Sequence, residues 1–359
     1  MMAERDYSLL GESGKRAVQL GLADADWYRS DIPRKEMKQF MQRSDQPAIR
    51  DTILLFALMV GFAAGGIYLW GSWYAVPFWA AYGVLYGSAM DSRWHECSHG
   101  TAFRTRWMNE WLYQVACFMM IRNPVAWRWS HTRHHTDTII VGRDPEIVTQ
   151  KPISFLRLLQ NYVGIMDVIS GLKVMLINAR GRLDPETETY IPEMDRQKAI
   201  SVARVWVLIY AATLAATFAL QSWIPLMLIG LPRIYGAWHM ALTGMTQHAG
   251  LADNAIDHRL NSRTVYMNPI SRFIYWNMNY HVEHHMFPTV PYHALPALHQ
   301  RIKDDFPEPS PSILAAYREF IPVLWRQRSE PDFYLRRPLP ETAQPYKDLV
   351  TELEAADAA

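Results

Sequence analysis

Residues 52–70 read TILLFALMVGFAAGGIYLW, a run without a single charged side chain. The short connection GSW follows at 71–73, and a second uncharged run, YAVPFWAAYGVLYGSAM, occupies positions 74–90. A helix of roughly 20 apolar residues crosses a bilayer, and a short connection leaves two such helices antiparallel. The stretch therefore predicts a transmembrane hairpin over residues 52–90.

A second pair of apolar runs lies further along the chain, at 201–220 and 223–242, joined by Gln221 and Ser222. Three of the four runs begin or end on Trp or Tyr, as expected for side chains in the membrane interface. Together the pairs predict an all-α integral membrane protein with four transmembrane helices in two hairpins. The alternative is two buried hairpins in a large soluble core.

The basic residues give an independent test of this topology. None of the 36 Lys and Arg residues lies in either hairpin tip, and only Arg204 and Arg233 fall inside a proposed span. Positive charge accumulates on the cytoplasmic side, so the tips should face away from it. Both termini and the remaining segments should be cytoplasmic: an N-terminal segment at 1–51, a helical cap at 91–200 and 243–306, and a C-terminal tail at 307–359.

Composition excludes several other classes of protein. Of the 359 residues, 50% are hydrophobic and 20% are charged, so the chain is neither mostly membrane nor disordered. A net charge of +1 offers no basic field for nucleic acid. Cys97 and Cys117 cannot form the disulfide framework of a secreted domain. Within the cap, the mixed runs 107–121 and 155–177 predict helices lying in the membrane interface.

Ten of the thirteen histidines occur in three clusters and at two single positions. The clusters are His95-Glu96-Cys97-Ser98-His99, His131-Thr132-Arg133-His134-His135 and His281-Val282-Glu283-His284-His285, and the single residues are His239 and His248. On a helix, positions i and i+4 lie about 40° apart, so each cluster can direct its imidazoles to one point. Each is a potential chelating face.

Even numbers of crossings bring all three clusters to the same side of the membrane. Eight imidazoles exceed what one four-coordinate zinc ion accepts, which favours a site for two ions. Nitrogen ligands without thiolates suit iron, copper or zinc. A single H-x-x-x-H pattern arises easily by chance, but two copies of H-x-x-H-H in one chain do not, and the set predicts a cytoplasmic di-metal site.

Two other functions use part of this pattern. His95 to His99 also fits H-E-x-x-H, in which two zinc ligands flank a general base, so an intramembrane zinc protease is an alternative. That reading leaves the other two clusters without a role. A metal transporter would need ionisable groups within its spans, whereas these clusters lie outside them.

The arrangement resembles the membrane fatty acid desaturase and hydroxylase superfamily, whose three histidine boxes are separated by paired transmembrane helices. The resemblance covers about residues 52–301 and is most specific at Asn279-Tyr280-His281-Val282-Glu283-His284-His285-Met286-Phe287-Pro288. It also includes Gly142-Arg143-Asp144-Pro145-Glu146, after the second box. Bacterial members of the family carry similar forms near the third box, which implies a bacterial inner membrane protein.

The resemblance implies a non-haem di-iron centre that uses O2 and two electrons to attack an unactivated C–H bond. It adds His248, ahead of the third box, to the ligands. The implied catalytic and metal-binding set is His95, His99, His131, His134, His135, His248, His281, His284 and His285. In the acyl-CoA branch an Asn one turn before this His holds a water, and here that position is Gly244.

Acidic residues within or beside the boxes are candidates to orient the ligand imidazoles from behind, as carboxylates commonly do at metal sites. They are Glu96, Asp137, Asp144 and Glu283, with solvated charge as the alternative for Glu283. His239 lies half a turn out of phase with His248 on a continuous helix, so it should pack or support. His258, His293 and His299 are expected to be surface or structural residues.

Electrons must come from another protein. The chain contains no fused haem-domain signature, no cysteine set for an iron–sulfur cluster and no G-x-G-x-x-G fingerprint. A separate ferredoxin-type carrier and its reductase are implied, and Arg104, Arg106 and Arg133 are candidates for its docking.

The substrate is the least determined feature. The family implies an aliphatic C–H bond of a lipid or amphiphile, with a second reading as hydroxylase or oxidative demethylase of a small polar metabolite. Arg233, about eleven residues into the predicted fourth span, is costly in a membrane. It could anchor a substrate carboxylate or phosphate, or it could pair internally or snorkel.

Overall fold

The computed structural model describes residues 5–347 of the chain. These residues form helices and no strand, and their extended segments meet only in two isolated bridges, Thr264 with Tyr280 and Val265 with Ser310. The prediction of an all-helical fold is therefore confirmed for the described residues. Positions 348–359 of the predicted C-terminal tail, including the acidic end of the chain, lie outside them.

The helices are numbered in chain order. They are α1 (Glu12–Gln19), α2 (Arg34–Phe40), α3 (Asp45–Tyr68), α4 (Ala75–Val84), α5 (Met90–Ser98), α6 (Arg106–Met120), α7 (Pro124–Thr136), α8 (Phe155–Tyr162), α9 (Ile165–Ala179), α10 (Pro185–Glu188), α11 (Glu193–Ala219), α12 (Ile224–Leu228), α13 (Pro232–Tyr235), α14 (Trp238–His248), α15 (His258–Asn261), α16 (Pro269–Tyr275), α17 (His281–Met286), α18 (Leu295–Ile302) and α19 (Ile313–Arg326). A π-helical segment, Leu85–Ala89, joins α4 to α5.

By length and composition, two helical stretches of the described residues can cross a membrane, Arg34–Tyr68 and Glu193–Ala219. They overlap the predicted first and third spans. A third crossing exists if α8 and α9, bent by 79° relative to each other, form one broken span or re-entrant segment. The described residues thus provide two or three candidate spans, and four spans in two hairpins stays a prediction.

Residues 223–242 do not form the single uninterrupted span that hydropathy predicts. They form α12, α13 and the start of α14, and Gly230 between the first two adopts a φ of 97°. Pro232 then begins α13 without an N–H to continue the previous helix. The expectation of a continuous fourth helix is wrong. Hydropathy depends only on the apolar character of the side chains, so it does not detect a break in the backbone.

The bend between α8 and α9 packs against this broken segment. Gly164 at the bend has a φ of 65°, and a Cβ there would lie 2.8 Å from the carbonyl oxygen of Arg233 and 2.7 Å from Ala237 Cβ. Glycine therefore serves two purposes at this position, the left-handed backbone and the close approach. The two breaks in the apolar helices touch each other.

A second close approach connects α4 to the residue after α13. A Cβ on Gly236 would overlap the carbonyl oxygen of Gly83 and lie 2.7 Å from its Cα. Small residues allow helix backbones to approach in this way inside membranes. Because α4 runs through the π-helical segment into α5, this contact also fixes the helix that carries the first histidine box.

Buried polar contacts link the first box to the third. Arg93 on α5 is fully buried, donates to the carbonyl oxygens of Phe273 and Ile274, and lies over the indole of Trp276 with Cζ 4.8 Å from the ring centroid. A guanidinium buried in this way is stable because carbonyls and a ring face replace its water. Arg93 therefore fixes the position of α5 relative to residues 273–276, which precede α17.

The segment after residue 306 is ordered through α19. Ala316, Phe320 and Leu324 lie on one face of this helix and are buried in a cluster with Met245 of α14 and Val265. Leu314 and Trp325 remain exposed. This part of the predicted tail therefore supports the helix that carries His248.

The contact between Gly83 and Gly236 provides a test of the fold. Replacing Gly236 with Ala should destabilise the protein by roughly 1–3 kcal/mol, the usual cost of overpacking a filled interior. Unfolding of the purified protein in detergent, followed by circular dichroism, measures the effect. Gly61→Ala is the matched control, because a Cβ at Gly61 meets no atom within 4 Å. Equal unfolding midpoints for the two variants would contradict the proposed role of the contact.

Candidate metal centre

All nine histidines implied as ligands come together in the fold, and they form two adjacent groups. Within each group one ring nitrogen per residue lies within 4.8 Å of the others. The first group is His95, His99, His131, His135 and His284, and the second is His134, His248, His281 and His285. The rings of His135 and His285, one from each group, are 4.5 Å apart.

Helix periodicity explains how the boxes divide between the groups. Residues i and i+4 lie close together around a helix, whereas i+3 falls on the other side of the first residue. His131 and His135 accordingly share the first group while His134 belongs to the second. On α17, His281 and His285 share the second group and His284 joins the first. Each H-x-x-H-H box thus serves both groups.

The helix of the second box begins at a strong capping signal. Pro124 occupies its first turn, and the Asn123 side chain accepts hydrogen bonds from the backbone N–H groups of Val125 and Ala126. Proline and a preceding Asn are favoured at these positions. The helix start is therefore fixed about two helical turns before His131.

The spacing of the ring nitrogens matches a coordination shell. The Nε2 atoms of His99 and His131 are 3.1 Å apart, and those of His284 and His135 are also 3.1 Å apart. In the second group, the Nε2 atom of His281 lies 3.0 Å from that of His248 and 3.0 Å from that of His285. Ligands about 2.0–2.1 Å from a shared ion would be about 2.9–3.4 Å apart. The donor set therefore fits one metal ion in each group.

Burial keeps most of these imidazoles neutral. Burial first, and then the neighbouring imidazoles, lower the pKa of six of them well below the ordinary value: His95, His131, His135, His281, His284 and His285. The pKa of His99 falls to about 4 and that of His248 to about 3, chiefly through burial. A neutral imidazole offers a lone pair, which is the form that binds a metal.

Carboxylates behind the second box orient two of the rings. His134 Nδ1 lies 2.8 Å from Asp144 Oδ2, and His131 Nδ1 lies 3.1 Å from Glu146 Oε2. Burial lowers the pKa of His134, but the Asp144 carboxylate outweighs this and raises it to about 8. An Nδ1–H donated to a carboxylate leaves Nε2 free for the group. The sequence predicts this role for Asp144 but not for Glu146.

Two more rings are oriented by neutral oxygens. His248 Nδ1 is 2.7 Å from the carbonyl oxygen of Asn261, and His285 Nδ1 is 3.2 Å from Thr138 Oγ1. Thr138 donates its own hydrogen to the carbonyl of His134, so His285 must be the donor in the second contact. The tautomers of His131, His134, His248 and His285 are thus all directed with Nε2 toward the groups.

Three predicted orienting carboxylates contact none of the nine histidines. Glu96, fully buried, accepts hydrogen bonds from Thr101 Oγ1 at 2.7 Å and from the backbone N–H of Tyr292 at 3.0 Å. Asp137 accepts from Arg143 at 2.9 Å. Glu283 accepts from Thr264 Oγ1 and pairs with His299, which lies outside both groups. These carboxylates hold the boxes to neighbouring segments rather than to the ligand rings.

The remaining histidines are not members of the two groups, although the ring of His258 lies 5.2 Å from that of His285. His239 is buried, with Nε2 3.4 Å from Ser271 Oγ. His258 stacks on Trp27 with ring centroids 4.4 Å apart, and His299 is fully buried between Glu283 and Tyr266. His293 is half-buried. The structural reading applies to His258 and His299, and neither is a surface residue.

Arg233 has an internal partner. Its side chain is fully buried and forms an ion pair with Asp167 of α9. It sits on α13, after the break at Gly230, so the depth calculated for a continuous span does not apply. The role of Arg233 in binding a substrate anion stays a prediction. The ion pair with Asp167 supports the alternative, internal pairing.

A cavity of about 320 Å³ opens beside both groups of histidines. Its wall includes His95 and His131 from the first group and His134, His248 and His281 from the second. The rest of the wall mixes apolar side chains with a few charged ones, including Trp94, Trp127, Met240, Met245, Asp91, Arg122 and Asp167. A molecule in this cavity would contact histidines of both groups.

Comparison with known proteins gives a consistent result. The chain is 24% identical over 289 residues to the acyl-lipid omega-3 desaturase (cytochrome b5), endoplasmic reticulum, of Arabidopsis thaliana, covering 74% of this chain and 72% of that protein. It is 25% identical to the omega-6 fatty acid desaturase, endoplasmic reticulum isozyme 1, of Glycine max over 77% of this chain and 78% of the relative. It is 22% identical to the sn-2 acyl-lipid omega-3 desaturase (ferredoxin), chloroplastic, of Helianthus annuus over 74% of this chain and 63% of the relative.

The sequence profile of the family described as fatty acid desaturase matches residues 71–316, which contain all three histidine boxes and His248. This match covers well over half of the chain. The histidine geometry and the sequence comparison therefore lead to the same assignment: the chain belongs to the fatty acid desaturase family.

Proposed function

We propose that this protein is an O2-dependent di-iron oxidoreductase that removes hydrogen from an aliphatic C–H bond of a lipid or amphiphilic substrate. The observation that carries the proposal is that two all-imidazole groups border one cavity, in a chain that belongs to the desaturase family. In desaturation, a CH2–CH2 unit, O2, two electrons and two protons give an alkene and two waters. The protein must therefore admit a chain, O2, electrons and protons to one place.

Iron is the metal of this proposal, with the nine histidines as its ligands. Nitrogen donors without thiolate suit iron, and two such groups match the two-ion centre that the family resemblance implies. Bound iron would supply the O2 activation that amino-acid side chains cannot provide. The chain itself contributes Asp144 and Glu146, which hold the rings of His134 and His131 in the required tautomer.

The reducing electrons come, in this proposal, from a separate ferredoxin-type carrier and its reductase. The relatives named above include one described with cytochrome b5 and one with ferredoxin. Arg104 and Arg106 are exposed and could meet an acidic carrier. Arg133 is a weaker candidate, because it is half-buried and lies 3.7 Å from Asp137.

The membrane arrangement is part of the same proposal. Apolar helices and desaturase relatives support a membrane protein. The distribution of basic residues supports cytoplasmic termini and a cytoplasmic active site in segments 91–200 and 243–306. We place the protein in a bacterial inner membrane, with transmembrane hairpins at 52–90 and 201–242, on the basis of the family resemblance and hydropathy.

A second candidate is hydroxylation or oxidative demethylation of a smaller, more polar molecule on the same scaffold. The observation that favours it is the presence of Asp91, Arg122 and Asp167 in the cavity wall. The zinc protease is disfavoured by the environment of Glu96. Glu96 accepts hydrogen bonds from Thr101 and from the backbone N–H of Tyr292, so its carboxylate holds the box in place, which does not favour a role as general base.

Loss of one ligand from either group should abolish turnover. His134→Ala and His284→Ala each remove a nitrogen from a different group and should reduce bound iron while leaving membrane insertion intact. Iron per protein and O2-dependent substrate conversion in membranes are the measurements, and His293→Ala is the control. Two equivalents of zinc and no iron in protein from iron-replete cells would contradict the proposal.

The orienting carboxylate can be tested separately from the ligands. Asp144→Asn should weaken iron binding by about 10–100-fold, the usual effect of removing a carboxylate behind a ligand histidine. Iron retained during dialysis against a graded series of chelator concentrations measures this effect. Asp137→Asn is the matched control, since Asp137 lies seven positions away and pairs with Arg143 rather than with a ligand ring. Similar iron retention in the two variants would contradict the assigned role of Asp144.

Labelled oxygen distinguishes the two candidate reactions. With ¹⁸O2, desaturation should give an unlabelled alkene and labelled water, whereas hydroxylation should give a labelled alcohol. Mass spectrometry of the product measures the difference. Product formation at an undiminished rate without O2, or cleavage of a peptide, would exclude both reactions.

A further inference from the structure

The inner face of α19 is fixed to the helix that carries His248. Phe320 and Leu324 are buried in a cluster with Met245 of α14. The hydroxyl of Tyr317 donates a hydrogen bond to the carbonyl oxygen of Leu242, also on α14, at 3.0 Å. The orientation of α19 is therefore determined, and so is the direction in which its outer face points.

The outer face of α19 is apolar, with one cation in its middle. Leu314, Ile321 and Trp325 are between 47% and 63% exposed. Together with Arg318 they fall within about 60° of the helix circumference, since their spacings of four and seven residues are close to whole turns. Arg318 is exposed and makes no hydrogen bond or ion pair with the residues that the structure describes. Apolar and aromatic side chains interspersed with arginine are typical of a helix that lies in the membrane interface.

α8 lies beside α19 in the antiparallel direction. The ring of Phe155, at the start of α8, is 5.5 Å from that of Trp325, near the end of α19. At the other end of α8 the hydroxyl of Tyr162 contacts that of Tyr317. Two contacts seven or eight residues apart on each helix place the two helices side by side along their lengths.

α8 continues the apolar surface of α19. Leu156 and Leu159 are exposed, one helical turn apart on α8. Exposed apolar patches of this kind on a protein surface mark sites of contact with a membrane or another protein. α8 and α9 together are also apolar enough to form a broken membrane span or a re-entrant segment. The outer face of α19 is therefore continuous with a candidate membrane segment.

The charge on this surface is positive. Arg157 on α8 and Arg328, two residues after α19, are exposed, and the guanidinium of Arg328 lies 5.1 Å from the ring centroid of Trp325. Glu319 is the one acid within α19, and it is half-buried and paired at 2.9 Å with Arg263 in the interior. Arginines beside an apolar face complement the anionic lipids of a cytoplasmic leaflet.

We propose that the outer face of α19 docks on the anionic surface of the bilayer, beside α8, with Leu314, Ile321 and Trp325 among the lipids and Arg318 and Arg328 at the phosphates. The proposal goes beyond the proposed function, because it gives a membrane contact to a segment that the sequence predicts to be a cytoplasmic tail. It needs no bound metal.

This contact would bring the cavity wall close to the bilayer. Met245, which packs against the inner face of α19, lines the cavity beside the histidines, and so does Asn161 of α8. The two helices that dock on the lipid surface thus each lie against or include a residue of the cavity wall.

Spin labelling of the full-length protein in lipid nanodiscs tests the proposal without turnover. A nitroxide attached to Ile321→Cys reports on the outer face of α19, and Val18→Cys on α1 is the matched control, because Val18 is 51% exposed and Ile321 is 47% exposed. Cys97 and Cys117 are buried and should stay unlabelled, which the original protein treated in the same way verifies. Collision rates of the nitroxide with O2, which enters lipid, and with a water-soluble nickel complex measure its depth.

In nanodiscs of phosphatidylglycerol the label at Ile321→Cys should lie about 5–10 Å inside the boundary between headgroups and acyl chains. The label at Val18→Cys should stay in water. Leu314→Cys gives the same measurement if Ile321→Cys does not fold. In nanodiscs of phosphatidylcholine the label on α19 should lie less deep, because the arginines lose the attraction of an anionic surface.

Three results would overturn the proposal or part of it. Equal access of the nickel complex to the labels on α19 and α1 in phosphatidylglycerol would place the outer face in water and exclude lipid contact. Magnetic broadening between labels on α19 would show that a second copy of the chain covers the face instead. Equal depth in the two lipids would exclude the role of Arg318 and Arg328 at the phosphates.

Discussion

The close approach of nine buried or half-buried imidazoles is the constraint on which the rest of this structure depends. Nε2 atoms about 3 Å apart cannot all carry hydrogens, and charged imidazoles at this spacing would repel one another in a medium of low dielectric constant. Most of the rings must therefore be neutral, with Nε2 lone pairs turned inward. Burial provides the first condition, as the lowered pKa values of most of the set indicate. The second condition requires acceptors on the outer side, and it explains why the segments behind the boxes are as closely specified as the boxes themselves.

These outer acceptors differ in kind, and the difference has consequences. Asp144 and Glu146 bring negative charge to His134 and His131, whereas His248 and His285 meet a backbone carbonyl and a threonine hydroxyl. A carboxylate behind an imidazole increases its basicity and its donor strength toward a metal. Both carboxylates serve the second box, one behind a ligand of each group. The loop that follows this box, residues 137–146, thus places one carboxylate behind a histidine of each group.

The sequence predicted which histidines come together far better than it predicted their surroundings. Helical spacing explains how each box divides between the groups, and family resemblance added His248. The orienting residues depended on loop conformation, which no periodicity encodes. Asp144 and Glu146 lie two positions apart on the same loop, yet only the first was predicted in its role. Glu96 and Asp137 lie next to or near ligands in sequence, but a neighbour on a helix points elsewhere, and both bind segments outside the ligand shell.

The failure to predict the fourth helix and the existence of the cavity have the same cause. A continuous helix through 223–242 would have had an unbroken apolar surface. A straight helix in place of α8 and α9 could have packed along that surface. Instead, the chain bends at Gly164 and breaks at Gly230 and Pro232, and the two irregular segments meet. Irregular backbone within an apolar region is tolerated where it is buried in protein or borders a cavity. Here the bend carries Asp167 to the cavity wall, and the break sets the start of α14, which brings Gly244 and His248 to the same cavity. Hydropathy detects only the side chains of such segments, so it misses the backbone breaks that distinguish this cavity-lining region from a plain membrane span.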